Sequence, residues 1–149
     1  DAVDDLAGLV RESAPDYGFV VIDCPPSVHS SQTRAALERC DLALIPVQPS
    51  PLDLWATTHI EDEVKAARLI NPKLRAVLVI NQLEPRTRLS QIVRRGLSEL
   101  GLPTAESAVR RRVAFRSSAL EGRSVLDLGS RGKAAAQEIR ELIDEVFKQ

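Results

Sequence analysis

Apolar and polar residues follow one another along this chain in two alternating patterns. Short apolar runs at 19–23, 42–47 and 76–80, with a weaker one at 104–109, are typical of strands buried on both faces of a parallel sheet. Between them, apolar residues recur every three or four positions, which indicates amphipathic helices. The helices are predicted at 1–12, at about 28–39, at 52–70, between Thr87 and Gly101, in a short stretch ending near 120, and at 133–148.

Strands that alternate with helices in this way are connected by right-handed crossovers. We therefore expect an α/β fold with a mainly parallel sheet and helices on both faces. A chain of 149 residues is the size of one domain, so residues 1–149 are predicted to form a single α/β domain. The apolar runs are too short for a membrane span. With two cysteines, Cys24 and Cys40, and no secretory leader, the simplest prediction is a reduced cytoplasmic location.

Asp23 stands where the first apolar run ends. In open α/β sheets ligands bind at the carboxyl ends of the strands, so this carboxylate is predicted to lie at a ligand site. Pro25 and Pro26 lack the amide hydrogens that a central strand donates, which makes the following loop stiff. Ser27 is then predicted to cap the next helix. An Asp in this place is also a common turn former or helix cap, and both interpretations of Asp23 stay open here.

The charges along the chain are unevenly distributed. Residues 1–75 carry twelve acidic and seven basic side chains, whereas residues 86–133 carry eleven basic and four acidic ones. A local basic field of this kind favours a polyanionic partner, although a solvated surface can carry it too. His29 and His59 lack partners at metal-ligand spacing and are predicted to be ordinary polar positions. Trp55, the one tryptophan, is predicted to lie in the core or an interface.

Four segments in this order and spacing resemble the ParA/MinD family of deviant-Walker ATPases. They are Asp23-Cys24-Pro25-Pro26-Ser27, Ile45-Pro46-Val47-Gln48, Arg86-Thr87-Arg88-Leu89 and the stretch from Gly122 to Lys133. The family segregates plasmids and chromosomes or positions large cell structures. The resemblance covers nearly the whole chain, and it implies a P-loop NTPase-like fold and a nucleoid-associated protein of the bacterial cytoplasm.

The resemblance implies a site for ATP and Mg²⁺. The carboxylate equivalent to Asp23 lies near the magnesium and the γ-phosphate, where it orders water in a reaction that consists mostly of positioning and charge neutralisation. The loop with Pro25 and Pro26 is implied to contact the nucleotide region and to report its state to a partner. Asn81 stands where the family contacts adenine, although a turn-forming Asn is the alternative. Arg110 stands where many members have a proline of the nucleotide pocket.

The resemblance also implies partners. In this family an ATP-bound homodimer binds DNA without sequence preference and meets a ParB-like or other stimulating protein. Lys and Arg contacts to phosphates supply such affinity without reading bases. The main candidates are Arg110, Arg111, Arg112 and Arg116, followed by Arg94, Arg95, Arg123, Arg131 and Lys133.

The chain departs from the family in one large respect. No Gly-x-x-x-x-Gly-Lys-Ser/Thr occurs in it, so the N-terminal strand and the phosphate loop are absent from these 149 residues. Asp23 cannot replace the amides, lysines and hydroxyl of that loop. We therefore expect these residues to be the C-terminal two thirds of a ParA-like ATPase domain that does not hydrolyse ATP alone.

Two other protein classes remain open at this stage. A phospho-acceptor receiver domain also has an Asp after a strand, but its acidic pair ends an apolar strand, whereas Asp4 and Asp5 lie on a predicted helix, and no Lys-Pro pair is present. The other class is a non-enzymatic α/β module that uses the Arg-rich segment to bind DNA or a protein. Salt-sensitive binding to random-sequence DNA would argue against a module that binds only a protein.

Overall fold

The computed structural model describes residues 2–13, 15–27 and 29–147. The helices are α1 (Ala2–Ser13), α2 (Ser31–Leu37), α3 (Pro51–Ile70), α4 (Arg88–Ser98), α5 (Val113–Leu120) and α6 (Lys133–Phe147). The strands are β1 (Leu42–Val47) and β2 (Arg75–Ile80), and two 3₁₀ turns, Val125–Asp127 and Gly129–Gly132, precede α6. Two compact units divide the chain: a first unit of residues 1–43 and 58–76, and a second unit of residues 44–57 and 77–149.

Strands β1 and β2 pair to form a parallel two-stranded sheet. The Arg75 amide donates to the Asp41 carbonyl at 3.0 Å, and the Asn81 amide donates to the Val47 carbonyl at 2.9 Å. The offset between the paired residues is the same at both ends, as a parallel register requires. The predicted α/β fold with parallel strands is confirmed, and the runs at 42–47 and 76–80 are the strands.

The prediction of a buried strand at 19–23 is wrong for this structure. These residues have no regular secondary structure, and the Phe19 and Val21 side chains are 75% and 91% exposed. An apolar run becomes a strand only where a neighbouring strand shares its backbone hydrogen bonds. Within the described residues, the sheet consists of β1 and β2 and does not extend to this run.

The weaker strand predicted at 104–109 is reduced to two parallel bridges, Leu78 with Thr104 and Leu83 with Arg110. The Leu78 amide donates to the Pro103 carbonyl and the Ala105 amide donates to the Leu78 carbonyl, both at 2.8 Å. Between the bridges the segment has more residues than β2 and its continuation, so it bulges away from the ladder. The prediction had the position right, but the bulge prevents a continuous strand.

The starts of α2 and α4 follow the capping rules. The Thr87 hydroxyl accepts from the Ser90 amide, which confirms the predicted start of α4. The cap of α2 is Ser30, whose hydroxyl accepts from the Thr33 amide, so the prediction of Ser27 as the cap is wrong. Since Ser30 comes three residues later, α2 is shorter than predicted.

Each unit has its own buried side chains. In the second unit the fully buried side chains include Leu78 and Ile80 of β2 and Leu97 of α4. In the first unit Val64 of α3 is fully buried. Trp55 is 67% exposed, so it lies outside the core of this chain. No helix in the part of the chain that the structure describes is long and apolar enough to cross a membrane.

Candidate functional site

Asp23 lies in the first unit, in the irregular segment that precedes α2. Its side chain is exposed, and among the described residues no group hydrogen-bonds to the carboxylate. Because Ser30 caps α2, Asp23 does not serve as the helix cap that one interpretation assigned to it. The carboxylate is therefore open to a ligand.

The diproline loop next to Asp23 is tied to α2 at its far end. Pro25 and Pro26 are exposed. The Ser27 carbonyl accepts from the Ser30 amide at 3.2 Å and from the Thr33 hydroxyl at 3.0 Å. A loop with restricted φ at two residues and an anchored end can hold Asp23 in a limited set of positions.

The two thiols of the first unit are not activated. Burial, and after it the charge of Asp23, raises the pKa of the Cys24 thiol above its ordinary value. Burial is also the largest cause of the raised pKa of Cys40. Both thiols are protonated at neutral pH and are weak nucleophiles, which leaves Asp23 as the chemically useful group of this segment.

An ion-pair cluster in the first unit involves both histidines. The Arg34 guanidinium donates to both Glu63 carboxylate oxygens, at 3.1 and 3.2 Å, and His29 Nδ1 lies 3.2 Å from Glu63 Oε1. These hydrogen bonds, from Arg34 first and His29 second, hold the pKa of Glu63 below its ordinary value. His59 stacks edge-on against His29 at 5.6 Å between ring centres. The cluster links the segment after the diproline loop to α3.

A magnesium nucleotide would meet only part of its usual ligand set here. Mg²⁺ is commonly held by one or two carboxylates together with phosphate oxygens and waters. The single exposed carboxylate of Asp23 suits this way of binding Mg²⁺. The described residues include no cluster of three or more His, Cys, Asp or Glu that could hold a metal without the nucleotide. The phosphate loop that would grip the nucleotide is not among the 149 residues.

Asn81 lies in the second unit, directly after β2. Its side-chain oxygen accepts from the Gln82 amide at 2.9 Å, and Gln82 has a left-handed φ of 54°. The Asn81 side chain thus binds the backbone of the bend at Gln82. Its Nδ2 has no partner among the described residues, so the same side chain can still donate hydrogen bonds to a ligand.

The segment after β2 lies beside the segment that carries Arg110. The Leu83 amide donates to the Val109 carbonyl at 2.9 Å, and the Arg111 amide donates to the Leu83 carbonyl at 3.1 Å. The Arg111 guanidinium also forms an ion pair with Glu84 at 2.7 Å. The structure therefore places Asn81, the adenine candidate, and Arg110, the other candidate of the nucleotide pocket, on adjacent segments of one unit.

Two carboxylates of α6 hold the segment from Glu106 to Arg112, and the sequence did not predict them as part of the site. Glu145 accepts the Glu106 and Ser107 amides at 2.7 and 2.9 Å. Glu138 accepts the Arg110 amide at 3.2 Å and the Arg112 guanidinium at 2.6 Å. Burial raises the pKa of Glu145, but the hydrogen bonds from Ser107 and Glu106 outweigh it, so the pKa lies below its ordinary value.

A sequence signal for these carboxylates exists. Glu138 and Glu145 are seven residues apart, which puts them on the same side of α6, beside the apolar stripe that contains Ala135 and Val146. Charged residues that border a buried stripe at this spacing are candidates for holding a neighbouring segment. Their partners could not be read from the pattern, because they are mostly backbone amides.

The nine predicted DNA contacts fall into two groups. In the first group the guanidinium already binds a carboxylate or a carbonyl: Arg110 and Arg112 bind Glu138, Arg111 binds Glu84, Arg131 binds Glu121, and Arg123 donates to the Asp127 carbonyl. The second group is exposed and makes no ion pair with the described residues; it consists of Arg94, Arg95, Arg116 and Lys133. We call this second group the unpaired cations.

Comparison with known proteins gives consistent matches. The family described as ATPase MipZ matches residues 1–92. The chain is 46% identical over 147 residues to the maintenance of carboxysome distribution protein A of Halothiobacillus neapolitanus, which covers 99% of this chain and 68% of that protein. A protein of the same name from Gloeobacter kilaueensis is 32% identical over 133 residues, covering 87% of this chain and 59% of the relative.

A third relative is more distant. A ParA family protein of Mycoplasma pneumoniae is 28% identical over 85 residues, which covers 57% of this chain and 31% of that protein. The chain thus spans about two thirds of the first relative's length and less of the other two. None of these matches supports the receiver-domain alternative.

Proposed function

Since this chain belongs to the MipZ family of ParA-like ATPases, we propose that it is part of an ATPase that positions carboxysomes. The observation that carries the proposal is the 46% identity, over 99% of the chain, to a protein named for the maintenance of carboxysome distribution. Plasmid or chromosome segregation is the alternative role within the ParA family.

In this proposal the 149 residues form the C-terminal part of a nucleotide-binding domain, and the phosphate loop belongs to the remainder. Bound Mg²⁺ would neutralise charge on the transferred phosphoryl group. The exposed Asp23 carboxylate would orient water at the metal. The Nδ2 of Asn81 and the backbone around Arg110 would contact the adenine. The exposed Asp23 carboxylate and the Asn81 Nδ2, which has no partner among the described residues, are the structural features that support these roles.

The first test is ATP hydrolysis by the protein expressed from its complete coding sequence. We expect Mg²⁺-dependent turnover, and we expect Asp23→Ala to lower kcat about 100-fold or more, the scale on which electrostatic groups act at a transferring phosphate. Asp16→Ala is the matched control, because Asp16 is also exposed and belongs to the same unit. It should leave kcat unchanged.

Equal turnover in the Asp23→Ala variant and the parent protein would contradict the role proposed for this carboxylate. Absence of any ATP binding by the complete protein would contradict the ATPase proposal as a whole. In the native host, deletion of the gene should replace evenly spaced carboxysomes by clusters. Unaltered carboxysome spacing would point to another cargo.

We further propose that the ATP-bound form is a homodimer that binds DNA without sequence preference. The unpaired cations support this part, since they form no ion pair with the carboxylates that the structure describes. The diproline loop, which is exposed and bound to the start of α2 through the Ser27 carbonyl, would change its order with the nucleotide and so be read by a ParB-like stimulating partner.

A further inference from the structure

The carboxylates of Glu138 and Glu145 face one segment of the second unit from one side of α6. Seven residues of α-helix rise by about 10.5 Å. Over that length the two side chains receive three backbone amides, those of Glu106, Ser107 and Arg110. Because the side chains of α6 bind backbone amides of the neighbouring segment, they fix the path of that segment's backbone. This holds whichever side chains the segment carries.

Glu138 is the more constrained of the two. It is only 8% exposed, and it accepts from the Arg110 amide and from two nitrogens of the Arg112 guanidinium, at 3.0 and 2.6 Å. A buried carboxylate without partners is costly, so this side chain and its partners hold one another in place.

Glu145 holds the bulge between the two bridges. Its two carboxylate oxygens each accept one of two successive amides, those of Glu106 and Ser107. The amides in such a bulge have left the ladder and need another acceptor, which the carboxylate supplies. Glu145 thus stabilises the bulge just before the residues that run beside Leu83.

We propose that Glu138 and Glu145 are positioning residues for nucleotide recognition, which hold the backbone at Arg110 in register beside Asn81 so that both can contact the base. The inference rests on the proposed function, because it assigns these two residues to the base end of that same site. Neither carboxylate would touch the nucleotide. Their effect is transmitted through the segment from Glu106 to Arg112.

The proposal predicts that changes in Glu138 or Glu145 weaken recognition of the adenine base and leave binding of the triphosphate unchanged. In Glu138→Gln the side-chain oxygen can still accept the Arg110 amide. The new NH₂ group then faces the Arg112 guanidinium, and because both groups are donors they cannot form a hydrogen bond. The segment shifts, while the triphosphate of ATP, held elsewhere, keeps its contacts. The KM for ATP should rise about fivefold or more with kcat within twofold, and inhibition by inorganic triphosphate should not change.

The measurement uses the protein expressed from its complete coding sequence. Parent protein, Glu138→Gln, Glu145→Gln and the control Glu141→Gln are compared in KM and kcat for ATP and in the inhibition constant of inorganic triphosphate. Glu141 is an exposed carboxylate of α6 whose described partner is Gln137 of the same helix. Because Glu145 is less buried than Glu138, its variant serves if Glu138→Gln fails to fold.

The outcomes separate the inference from the proposed function. An elevated KM for ATP with unchanged triphosphate inhibition, in the Glu138 or Glu145 variant and not in Glu141→Gln, supports the inference. Active variants with the parent's KM overturn it while the proposed function stands. Equal weakening of ATP and triphosphate also overturns it, since that result indicates a general loss of structure. A parent protein that binds no ATP overturns both.

Discussion

At the scale of single residues, a carboxylate that receives backbone amides differs from one on an exposed surface. Glu145 accepts two successive amides at 2.7 and 2.9 Å, whereas exposed ion pairs such as Glu121 with Arg131 are worth little to folding in water. Hydrogen bonds to the charged form lower the pKa of a carboxylate, and this lowering outweighs the effect of burial at Glu145.

The first prediction at this scale concerns pH. The folded pKa of Glu145 lies below the unfolded one. Its stabilising effect is therefore complete above the unfolded value, near 4.3, and is lost as pH falls through the folded value. Glu145→Gln should lower the free energy of unfolding by about 1–3 kcal/mol at neutral pH.

Denaturant unfolding of the parent and Glu145→Gln between pH 7 and pH 3 checks this. The difference between the two proteins should shrink on the acid side. A difference that is independent of pH would mean that the charge of Glu145 does not matter to the amides it binds.

At the scale of elements, close approaches depend on residues without a side chain. Gly132 ends the second 3₁₀ turn, and a Cβ at this position would collide with the Val125 carbonyl oxygen, a backbone atom. Gly8, in α1, has open space around the place where a Cβ would be. The same substitution therefore has opposite consequences in the two elements.

We predict that Gly132→Ala lowers the free energy of unfolding by roughly 1–3 kcal/mol, since the backbone of the preceding turn must move. Gly8→Ala should raise it by up to about 1 kcal/mol, because Ala is the better helix former. Thermal unfolding of both variants tests the pair. Equal stability of the two would contradict the close approach at Gly132.

The elements also show how far the sequence could predict the fold. The spacing of apolar residues was sufficient to predict α3 and β2, and the capping rule located the start of α4 at Thr87. The apolar run at 19–23 led to the wrong prediction of a strand, because an apolar run by itself does not show whether a neighbouring strand exists. The strand expected at 104–109 is interrupted by a bulge, and the Ser107 amide in it binds Glu145, 38 positions away in the chain.

At the scale of the whole molecule, counting charges overestimates what a basic segment offers to a polyanion. Sequence could locate the basic stretch, and it marked Asp23 as a site candidate from its place after an apolar run. Asn81 became a candidate only through the family resemblance. It could not reveal that Glu138 engages Arg110 and Arg112, because the partners lie far apart in the chain. The unpaired cations are therefore the better candidates for phosphate contacts.

We predict that the double variant Arg94→Glu, Arg95→Glu weakens binding of the complete protein to random DNA duplexes without lowering Tm. The salt slope should fall by about one for each phosphate that the variant no longer neutralises. Arg112→Glu is the comparison: it places a negative charge beside Glu138 and should lower Tm.

Binding measured by fluorescence anisotropy at several salt concentrations, on duplexes of different sequence, decides between the alternatives. The loss of affinity should be the same for every DNA sequence. A loss restricted to one duplex would contradict phosphate binding, and unchanged affinity would mean that α4 does not contact the DNA.

The exposure of Trp55 makes the protein its own optical reporter. It is the one tryptophan of these 149 residues, it lies in the second turn of α3, and 67% of it faces solvent. Indole emission shifts to shorter wavelength and resists quenching by acrylamide once water is displaced from the ring. Docking of any macromolecule over the beginning of α3 can therefore be followed in real time without a dye.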